Sequence, residues 1–471
     1  MKSSNLLIII VSLVFFLSSC KNSFLDLAPI SSMNENNFFK TENDFKTAVN
    51  GAYRTLYNTY SPTSMLSYSE QMSDNCVIYH ISGNASERSQ FKDYNILANN
   101  VSILEFWNSY YNSLFVINTV ISKLPESPLN SELKTQYEAE MRFLRGCYYF
   151  DMVRIWGDVP LLTKPASVAD SYQIDRSPVV EVYKQIIADL TFAEANLPVL
   201  SKISRVGQAT KGAAQGMLGK VYATNSDLNN AKAFLKKVID SNEYSLLPAY
   251  SHLWDLAHEN SKEALFEIQH VRGVSSPSST YFQAFTPFEK VIYGGGMNQV
   301  TQNLWNEFED GDARRDLSIY SGFTEGGAFV PQPYPKKWTD PGNITSGSTR
   351  LCENNFIVLR YADVLLLYAE LTQDAQYLNM VRKRAGVPEW GTSGYPVSKY
   401  STLSLAIEHE RRVELALEFH RWFDLKRTNR AITVLSAVKG KTIQDWQLIL
   451  PVPQAVVDQN PGVIIQNPNY K

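Results

Sequence analysis

The chain has little cysteine, little net charge and only one long hydrophobic run. Its 471 residues include four cysteines, too few and too widely spaced for a disulfide scaffold, and no C-x-x-C pair that would indicate a zinc or thioredoxin-like site. Lys and Arg number 44 against 47 Asp and Glu, and the formal charge of -3 gives no general attraction to nucleic acid. We therefore expect no nucleic-acid partner.

The sequence also lacks the common catalytic motifs. His409 is followed by Glu-Arg-Arg-Val, without the second histidine of an H-E-x-x-H zinc site, and there is no G-x-S-x-G elbow, P-loop or dinucleotide-binding G-x-G-x-x-G. The segment 309–316 has alternating acids but lacks the Gly and Glu of a calcium loop, so we interpret it as a solvated turn. We expect no enzyme, no metal and no cofactor, although sequence does not exclude the carboxylate pair of a glycosidase.

The hydrophobic run stands at the amino terminus. Residues 6–17 are mostly apolar, follow the basic Lys2 and precede two serines and Cys20. The run is shorter than the roughly 17 to 25 residues that span a bilayer, which predicts a secretory signal peptide over residues 1–19. The string LSSC resembles a bacterial lipobox, in which cleavage leaves Cys20 as the lipidated first residue. We expect residues 20–43 to be a lipid tether and the first packed turns, with the rest of the chain in water.

Helical periodicity dominates two regions of the chain. Between Leu133 and Ile155 apolar residues recur at steps of three and four on one face, and a second stripe through Phe143, Cys147 and Phe150 runs along the neighbouring face. A helix that is apolar on two faces lies between other helices, which favours a layered all-α fold. Cys147 is then a packed thiol, and the helix should end near Gly157. The same periodicity predicts further helices at 44–60, 103–124, 178–197, 210–225, 228–242, 360–385 and 403–427.

One pair of these helices has the spacing of a tetratricopeptide unit. Leu218-Gly219, Tyr222, Ala231, Leu235 and Val238 stand at its characteristic positions, although the closing proline is absent. The small residues allow two antiparallel helices to approach closely, and the larger side chains fill the space above them. With helical hairpins before and after it, this unit predicts a tetratricopeptide-like scaffold of helical pairs.

The region from 272 to 355 shows no sustained period. It contains the glycines 294–296 and 326–327 and several prolines, which predicts irregular loops with short strands. An ordered stretch of this length without regular elements is often functional, and we expect it to face a ligand. The alternative, an insertion that only closes over the helices, stays open.

Aromatic residues make up 12% of the chain, including 26 tyrosines. Flat rings suit the C–H face of a sugar, but they equally suit the packing of a helical array. The candidates least explained by helix packing lie in predicted loops. These ligand-binding candidates are Tyr79, Arg88, Phe91, Tyr94, Tyr293, Tyr334 and Trp338.

The densest charged segment is residues 408–427. On one continuous helix, Glu408 would pair with Arg412, and Glu418 and Asp424 would both pair with Arg421. An anion site is one interpretation, but arginines that alternate with their own carboxylates are typical of a self-neutralised structural network. We favour the structural interpretation.

Several blocks, in order along the chain, resemble the SusD/RagB family of outer-membrane lipoproteins. They are LSSC followed by FLDLAP, RFLRGCYYFDMVRIWGDVPL (142–161), RYADVLLLYAEL (360–371), VRKRAGVP (381–388), ERRVELALEFHRWFDLKR (410–427) and LILPVPQAVVDQNPGVIIQNPNY (448–470). Phe419 stands where many members of the family carry Gly, in what we expect to be a structural helix.

The resemblance implies a single SusD-like domain over residues 44–471, with a tetratricopeptide scaffold at about 44–271 and 356–471 and a loop-rich, ligand-facing insertion at about 272–355. It also implies a lipid-anchored protein of the outer membrane, acylated with chains such as palmitate and exposed at the cell surface. Such a protein captures an oligosaccharide and hands it to a SusC-like TonB-dependent transporter. A RagB-like lid that binds a peptide, or a scaffold with only protein partners, are the alternatives. The family motifs belong to the scaffold and assign no binding residue.

Overall fold

The computed structural model describes residues 38–78, 85–273, 277–287, 295–340 and 352–470. Cys20, Tyr79 and Tyr293, which the sequence marks for lipidation or ligand binding, lie outside these ranges. Within them the chain is mostly helical and its strands are short, which confirms the all-α fold class. No helix in the described part of the chain is long and apolar enough to cross a membrane.

The elements are numbered here in chain order. The helices are α1 (Glu42–Arg54), α2 (Leu56–Thr59), α3 (Met65–Met72), α4 (Ala85–Lys92), α5 (Val101–Lys123), α6 (Ser131–Trp156), α7 (Val168–Ser171), α8 (Val179–Asn196), α9 (Lys211–Thr224), α10 (Leu228–Asp240), α11 (Tyr281–Phe285), α12 (Gln302–Trp305), α13 (Arg314–Ser318), α14 (Tyr361–Thr372), α15 (Ala375–Ala385), α16 (Leu403–Glu414), α17 (Arg421–Arg427), α18 (Ala431–Lys439) and α19 (Gln454–Gln459). The strands are β1 (Cys76–Val77), β2 (Ala264–Ile268), β3 (Gln299–Val300), β4 (Ile319–Tyr320), β5 (Phe323–Glu325), β6 (Ala328–Val330), β7 (Tyr334–Pro335) and β8 (Phe356–Arg360).

The longest helix, α6, has the two apolar faces that its sequence predicts. Asn130 caps its start by accepting a hydrogen bond of 2.8 Å from the Leu133 amide, and Gly157 ends it with a φ of 74°. Side chains on both faces are buried, because the helix packs between α5 on one side and α8 on the other. Cys147 is 2% exposed, and burial raises the pKa of its thiol well above the usual value, so it is a packing residue.

Neighbouring helices form close pairs where glycine removes a side chain. A Cβ added at Gly219 on α9 would lie 2.4 Å from Leu235 on α10, and Tyr222 stacks on Phe234 beside this contact at 5.6 Å. Gly146 on α6 is in the same situation against Leu190 on α8, where the distance would be 2.8 Å. The tetratricopeptide-like pairing predicted from the sequence is thereby confirmed at α9 and α10.

The helix predicted over 44–60 is divided into α1 and α2 at Thr55, and two further predicted helices are each interrupted by residues with a positive φ. The predicted helix over 360–385 is divided into α14 and α15 by Gln373, which has a φ of 53°. The predicted helix over 403–427 is divided into α16 and α17 by a turn in which Leu417 and Phe419 both have a φ of 67°. Phe419 therefore lies in this turn and not in the structural helix that we expected, and its backbone conformation is one that glycine adopts without strain.

The chain between β2 and β8 consists of short elements, as the sequence predicts for an irregular region. Strands pair in antiparallel fashion as β1 with β3, β2 with β8, β4 with β7, and β5 with β6. The Val300 amide donates a hydrogen bond of 2.9 Å to the Pro333 carbonyl, which joins β3 to the start of β7. The exact division of the chain into tether, scaffold and insertion stays a prediction.

The charged segment 408–427 forms a buried ion-pair network, but not with the predicted partners. Arg412 and Arg421 both pair with Asp74, at 3.2 and 2.8 Å, and Glu418 pairs with Lys337 and Arg360 at 2.7 Å each. The turn at 415–420 separates Glu418 from Arg421. In the other two predicted pairs, which each lie within one helix, the arginine pairs with Asp74 instead. The structural interpretation is correct, but the pairs join distant elements.

The interpretation of 309–316 as a solvated turn holds for Asp310, Gly311 and Asp316, which are exposed, but is wrong for Asp312 and Arg314. Asp312 is 4% exposed and Arg314 is 1% exposed. Arg314 pairs with Asp312 at 2.7 Å and with Glu410 and Glu414 on α16. Three arginines around Glu414 hold the pKa of its carboxyl well below the usual value. This segment is part of the same buried network, because distant acids on α16 supply its partners.

Candidate functional site

Four of the predicted ligand-binding rings are covered by protein. Phe91 is fully buried, Trp338 is 2% exposed, and Tyr94 and Tyr334 are each 3% exposed. Phe91 packs on Tyr68 at 4.6 Å between ring centroids, and the Tyr94 hydroxyl donates to a backbone carbonyl of α3. These contacts give Phe91 and Tyr94 packing roles, and a ligand contact at either one stays a prediction that requires the structure to open.

Trp338 lies in a layer of stacked aromatic rings beneath the loop region. It stacks on Tyr281 at 4.7 Å and on Phe356 at 5.4 Å, and Phe419 stacks on Phe356 at the same distance. Its indole N–H has no hydrogen-bond partner among the described residues. The layer joins the loop region to β8 and to the turn before α17, so Trp338 is a core residue in this conformation.

Arg88 is the predicted candidate that is described and partly exposed. It lies on α4, and its guanidinium forms a hydrogen bond with the hydroxyl of Tyr68 on α3. The structure thus brings Arg88 and Phe91 together on one short helix, while Tyr334 and Trp338 lie in a different part of the loop region.

Among the described residues of the loop region, the most exposed aromatic ring is on the β5–β6 hairpin. Gly326 and Gly327 form its turn with φ values of 54° and 85°, a conformation that favours glycine. Phe329 on β6 is 60% exposed. Its ring rests on the backbone of Gly322, where an added Cβ would lie 2.6 Å from the ring. Gly322 therefore provides the space that the edge of this mostly exposed ring occupies.

A second accessible ring lies next to this hairpin. Tyr320 on β4 stacks on Tyr334 on β7 with a centroid distance of 4.8 Å and an interplanar angle of 28°. Tyr334 is the buried member, and burial raises the pKa of its hydroxyl well above the usual value, whereas Tyr320 is partly exposed. The ammonium group of Lys336 lies 5.3 Å from the Tyr320 ring centroid, within cation–π range. We call Tyr320, Gly322, Phe329 and Lys336 the hairpin site.

Polar contacts link the strands next to this site to the helical scaffold. The Gln332 side chain donates to the carbonyls of Val300 and Pro333, at 3.1 and 3.2 Å. Next to β3, the Asn298 side chain donates to Ser67 on α3 at 3.0 Å. These bonds link the chain before β7 to β3 and the residue before β3 to the helical scaffold, and β7 in turn pairs with β4, which carries Tyr320.

The arrangement is suited to ligand binding. Two accessible rings offer flat apolar faces, and a lysine beside them offers hydrogen-bond donors, which together match the alternating C–H and hydroxyl surface of a sugar. No group of three His, Cys, Asp or Glu side chains in the described ranges is placed to hold a metal ion. The hairpin was not predicted from the sequence, although the string FTEGGAFV with its central Gly-Gly is a hairpin signal.

Two family models match the chain. Residues 23–223 match a model described as "Starch-binding associating with outer membrane", and residues 325–470 match the model of the SusD family. The chain belongs to the SusD/RagB family. The ordered blocks that indicated this family in the sequence fall largely within the two matched ranges.

Individual relatives match over nearly the whole chain. SusD-like protein P2 of Formosa agariphila is 27% identical over 98% of this chain and 99% of its own length, and a SusD-like protein of Bacteroides ovatus is 26% identical over 90% and 82%. Among solved structures, a laminarin binding SusD-like protein has a TM-score of 0.80 at 26% identity and covers 92% of this chain and 100% of its own. Surface glycan-binding protein A from Bacteroides thetaiotaomicron, solved with laminarihexaose, has the same fold, with a TM-score of 0.77 at 22% identity.

Proposed function

We propose that this SusD/RagB-family protein is a surface glycan-binding protein without catalytic activity. The observation that carries the proposal is the similarity to the laminarin binding SusD-like protein, which extends over 92% of this chain at a TM-score of 0.80. The accessible rings of Tyr320 and Phe329 add a surface of the right chemistry. The ligand is an oligosaccharide whose sugar rings lie against them.

The hairpin site is proposed as the main contact surface for this glycan. Phe329 supplies the apolar platform, and Lys336 beside Tyr320 donates to sugar hydroxyls. Arg88, Tyr79 and Tyr293 remain proposed contacts from the sequence. Stacking on a rigid, exposed ring costs little side-chain entropy, which suits the reversible capture of a soluble polymer.

The location and the partner are proposed from the sequence and from the resemblance to the family. The lipobox-like string ending at Cys20 supports lipid attachment at that residue, and the family description supports association with the outer membrane. A bound glycan would then be delivered to a SusC-like TonB-dependent transporter in the same membrane. A Cys20→Ser variant should lose the lipid and leave the membrane fraction, and the wild-type protein purified in mild detergent should bring the transporter with it.

A titration of the purified protein with a panel of neutral glycans and a peptide mixture tests the proposed function. Saturable glycan binding with no released product by chromatography supports it. Release of shortened glycans would make the protein an enzyme, and binding of peptides alone would favour the RagB-like alternative. A protein that binds neither would contradict the proposal.

A further inference from the structure

The helical scaffold contains a polar cleft that shares no residue with the hairpin site. It lies between the α2–α3 connection and the outward face of α5 and has a volume of about 470 Å³. That volume lies within the range of roughly 300 to 1,000 Å³ that is typical of small-molecule sites. The cleft is at the N-terminal end of α3, and β1 follows the C-terminal end, so the cleft and β1 lie at opposite ends of that helix. We call it the α5 cleft.

Neutral hydrogen-bonding groups dominate the walls of the α5 cleft. Asn108 and Asn112 stand one turn apart on α5, and Asn58 faces them from α2. All three are exposed, and their amides form no hydrogen bond within the described chain. The cleft contains no Lys, Arg or His, and Glu105 is its one acidic residue. Its walls therefore suit a neutral polar ligand and offer nothing to hold a phosphate or a carboxylate.

Two hydroxyls at the base of the cleft are buried without a partner. Ser64 is 5% exposed, and although it is the N-cap residue of α3 its hydroxyl makes no capping hydrogen bond. The Ser109 hydroxyl on α5 is likewise buried and has no partner among the described residues. Buried polar atoms are nearly always hydrogen-bonded, so a water or a ligand hydroxyl at the cleft wall would supply the partner that each of these oxygens lacks.

We propose that the α5 cleft is a second saccharide site, separate from the hairpin site. A sugar unit presents hydroxyls that both donate and accept, which satisfies serine hydroxyls at the base and asparagine amides at the rim together. An extended peptide would instead bind along a strand edge, and no strand is among the described residues that line the cleft. This inference rests on the proposed function and adds a separate site to it, so that one polymer chain engages the protein at two places and binds with higher avidity.

Native mass spectrometry of the full-length mature protein with laminarihexaose, maltohexaose and xylohexaose tests the second site. The proposal expects two saccharides per chain for at least one of these probes. A variant with Asn58→Ala, Asn108→Ala and Asn112→Ala should bind the second saccharide about tenfold more weakly or worse, because it lacks three donors at the rim. Asn229→Ala, at an exposed asparagine on α10, is the matched control and should bind two.

A second variant tests the cleft by filling it instead of by shortening its side chains. Asn112→Trp should fill the cleft and remove one bound saccharide while Phe329→Ala removes the other, and thermal unfolding of each variant checks that it is folded. If the triple alanine variant and Asn112→Trp both bind as many saccharides as the wild type, the proposal of a second site is wrong. A single saccharide that only Phe329→Ala removes overturns this inference and leaves the proposed function intact. Absence of any bound saccharide overturns both, and uptake of a peptide such as hexaalanine in the cleft overturns the inference alone.

Discussion

Replacing Phe419 by glycine should destabilise the protein less than replacing it by alanine, the reverse of the usual order. Its φ of 67° costs a residue with a side chain about 1–2 kcal/mol, and glycine removes that cost. Its ring, 5% exposed and stacked on Phe356 at 5.4 Å, contributes about 3–5 kcal/mol that both variants lose. Its amide donates to Glu70 at 2.8 Å, and both variants keep that bond.

The backbone and ring contributions together predict the order of stability of the wild type and the two variants. Glycine loses about 0.5–1 kcal/mol through the greater freedom of the unfolded chain, so the Phe419→Gly variant should remain about 0.5–1 kcal/mol more stable than Phe419→Ala. Both variants should be less stable than the wild type by a few kcal/mol, because the lost ring outweighs the relieved backbone.

Denaturant unfolding followed by circular dichroism, with a check that the slope is unchanged, measures this order. Phe266 on β2 is the control, because it is 3% exposed and lacks a positive φ. There the alanine variant should be the more stable one. If Phe419→Ala is as stable as Phe419→Gly, the backbone account of this turn is refuted.

Three further predictions concern the ion network, the helix pairs and a buried histidine. Arg360→Met should lower the free energy of unfolding by about 3–5 kcal/mol, because three buried carboxylates each lose one of their cationic partners, whereas Arg315→Met at an exposed pair should cost less than about 1 kcal/mol in the same denaturation assay. Gly219→Ala should cost about 1–3 kcal/mol because the added Cβ would lie 2.4 Å from a neighbouring leucine, while Gly51→Ala, with open space around it, should be neutral or stabilising; equal melting temperatures would contradict this. Burial lowers the pKa of His270 from 6.5 to about 4, so the unfolded chain takes up the proton first and the free energy of unfolding falls as the pH drops through this interval. His270→Gln should reduce the dependence of the free energy of unfolding on pH in this interval. An unchanged slope would contradict a role of His270 in that dependence.

Local patterns were sufficient to predict much of the helical scaffold. The apolar residues of α6 recur three and four residues apart, and Gly219 and Ala231 stand at the characteristic positions of a helical pair. A sequence displays both patterns directly. The breaks at Gln373 and Phe419 were missed because neither residue type usually adopts a positive φ. There the periodic pattern continued across a turn that long-range contacts hold in place.

The candidate site was less predictable, because burial of a loop residue depends on what covers it. Trp338 and Tyr334 have no helical period, yet distant elements enclose both. The partners of Arg412 could not be read from helical spacing either, since Asp74 lies far away in the chain. Phe329, by contrast, is on a hairpin with a recognisable Gly-Gly turn, so attention to turn signals could have identified it.

The most direct test of the central claim compares glycan affinity between two phenylalanine variants. Phe329 on the hairpin and Phe115 on α5 are 60% and 54% exposed, so their truncation removes similar apolar surface at different places. With the glycan that binds the wild type, isothermal titration should give a Kd at least about tenfold higher for Phe329→Ala, as expected for a lost stacking ring, and an unchanged Kd for Phe115→Ala. Equal affinities of the two variants and the wild type would contradict glycan capture at the hairpin site.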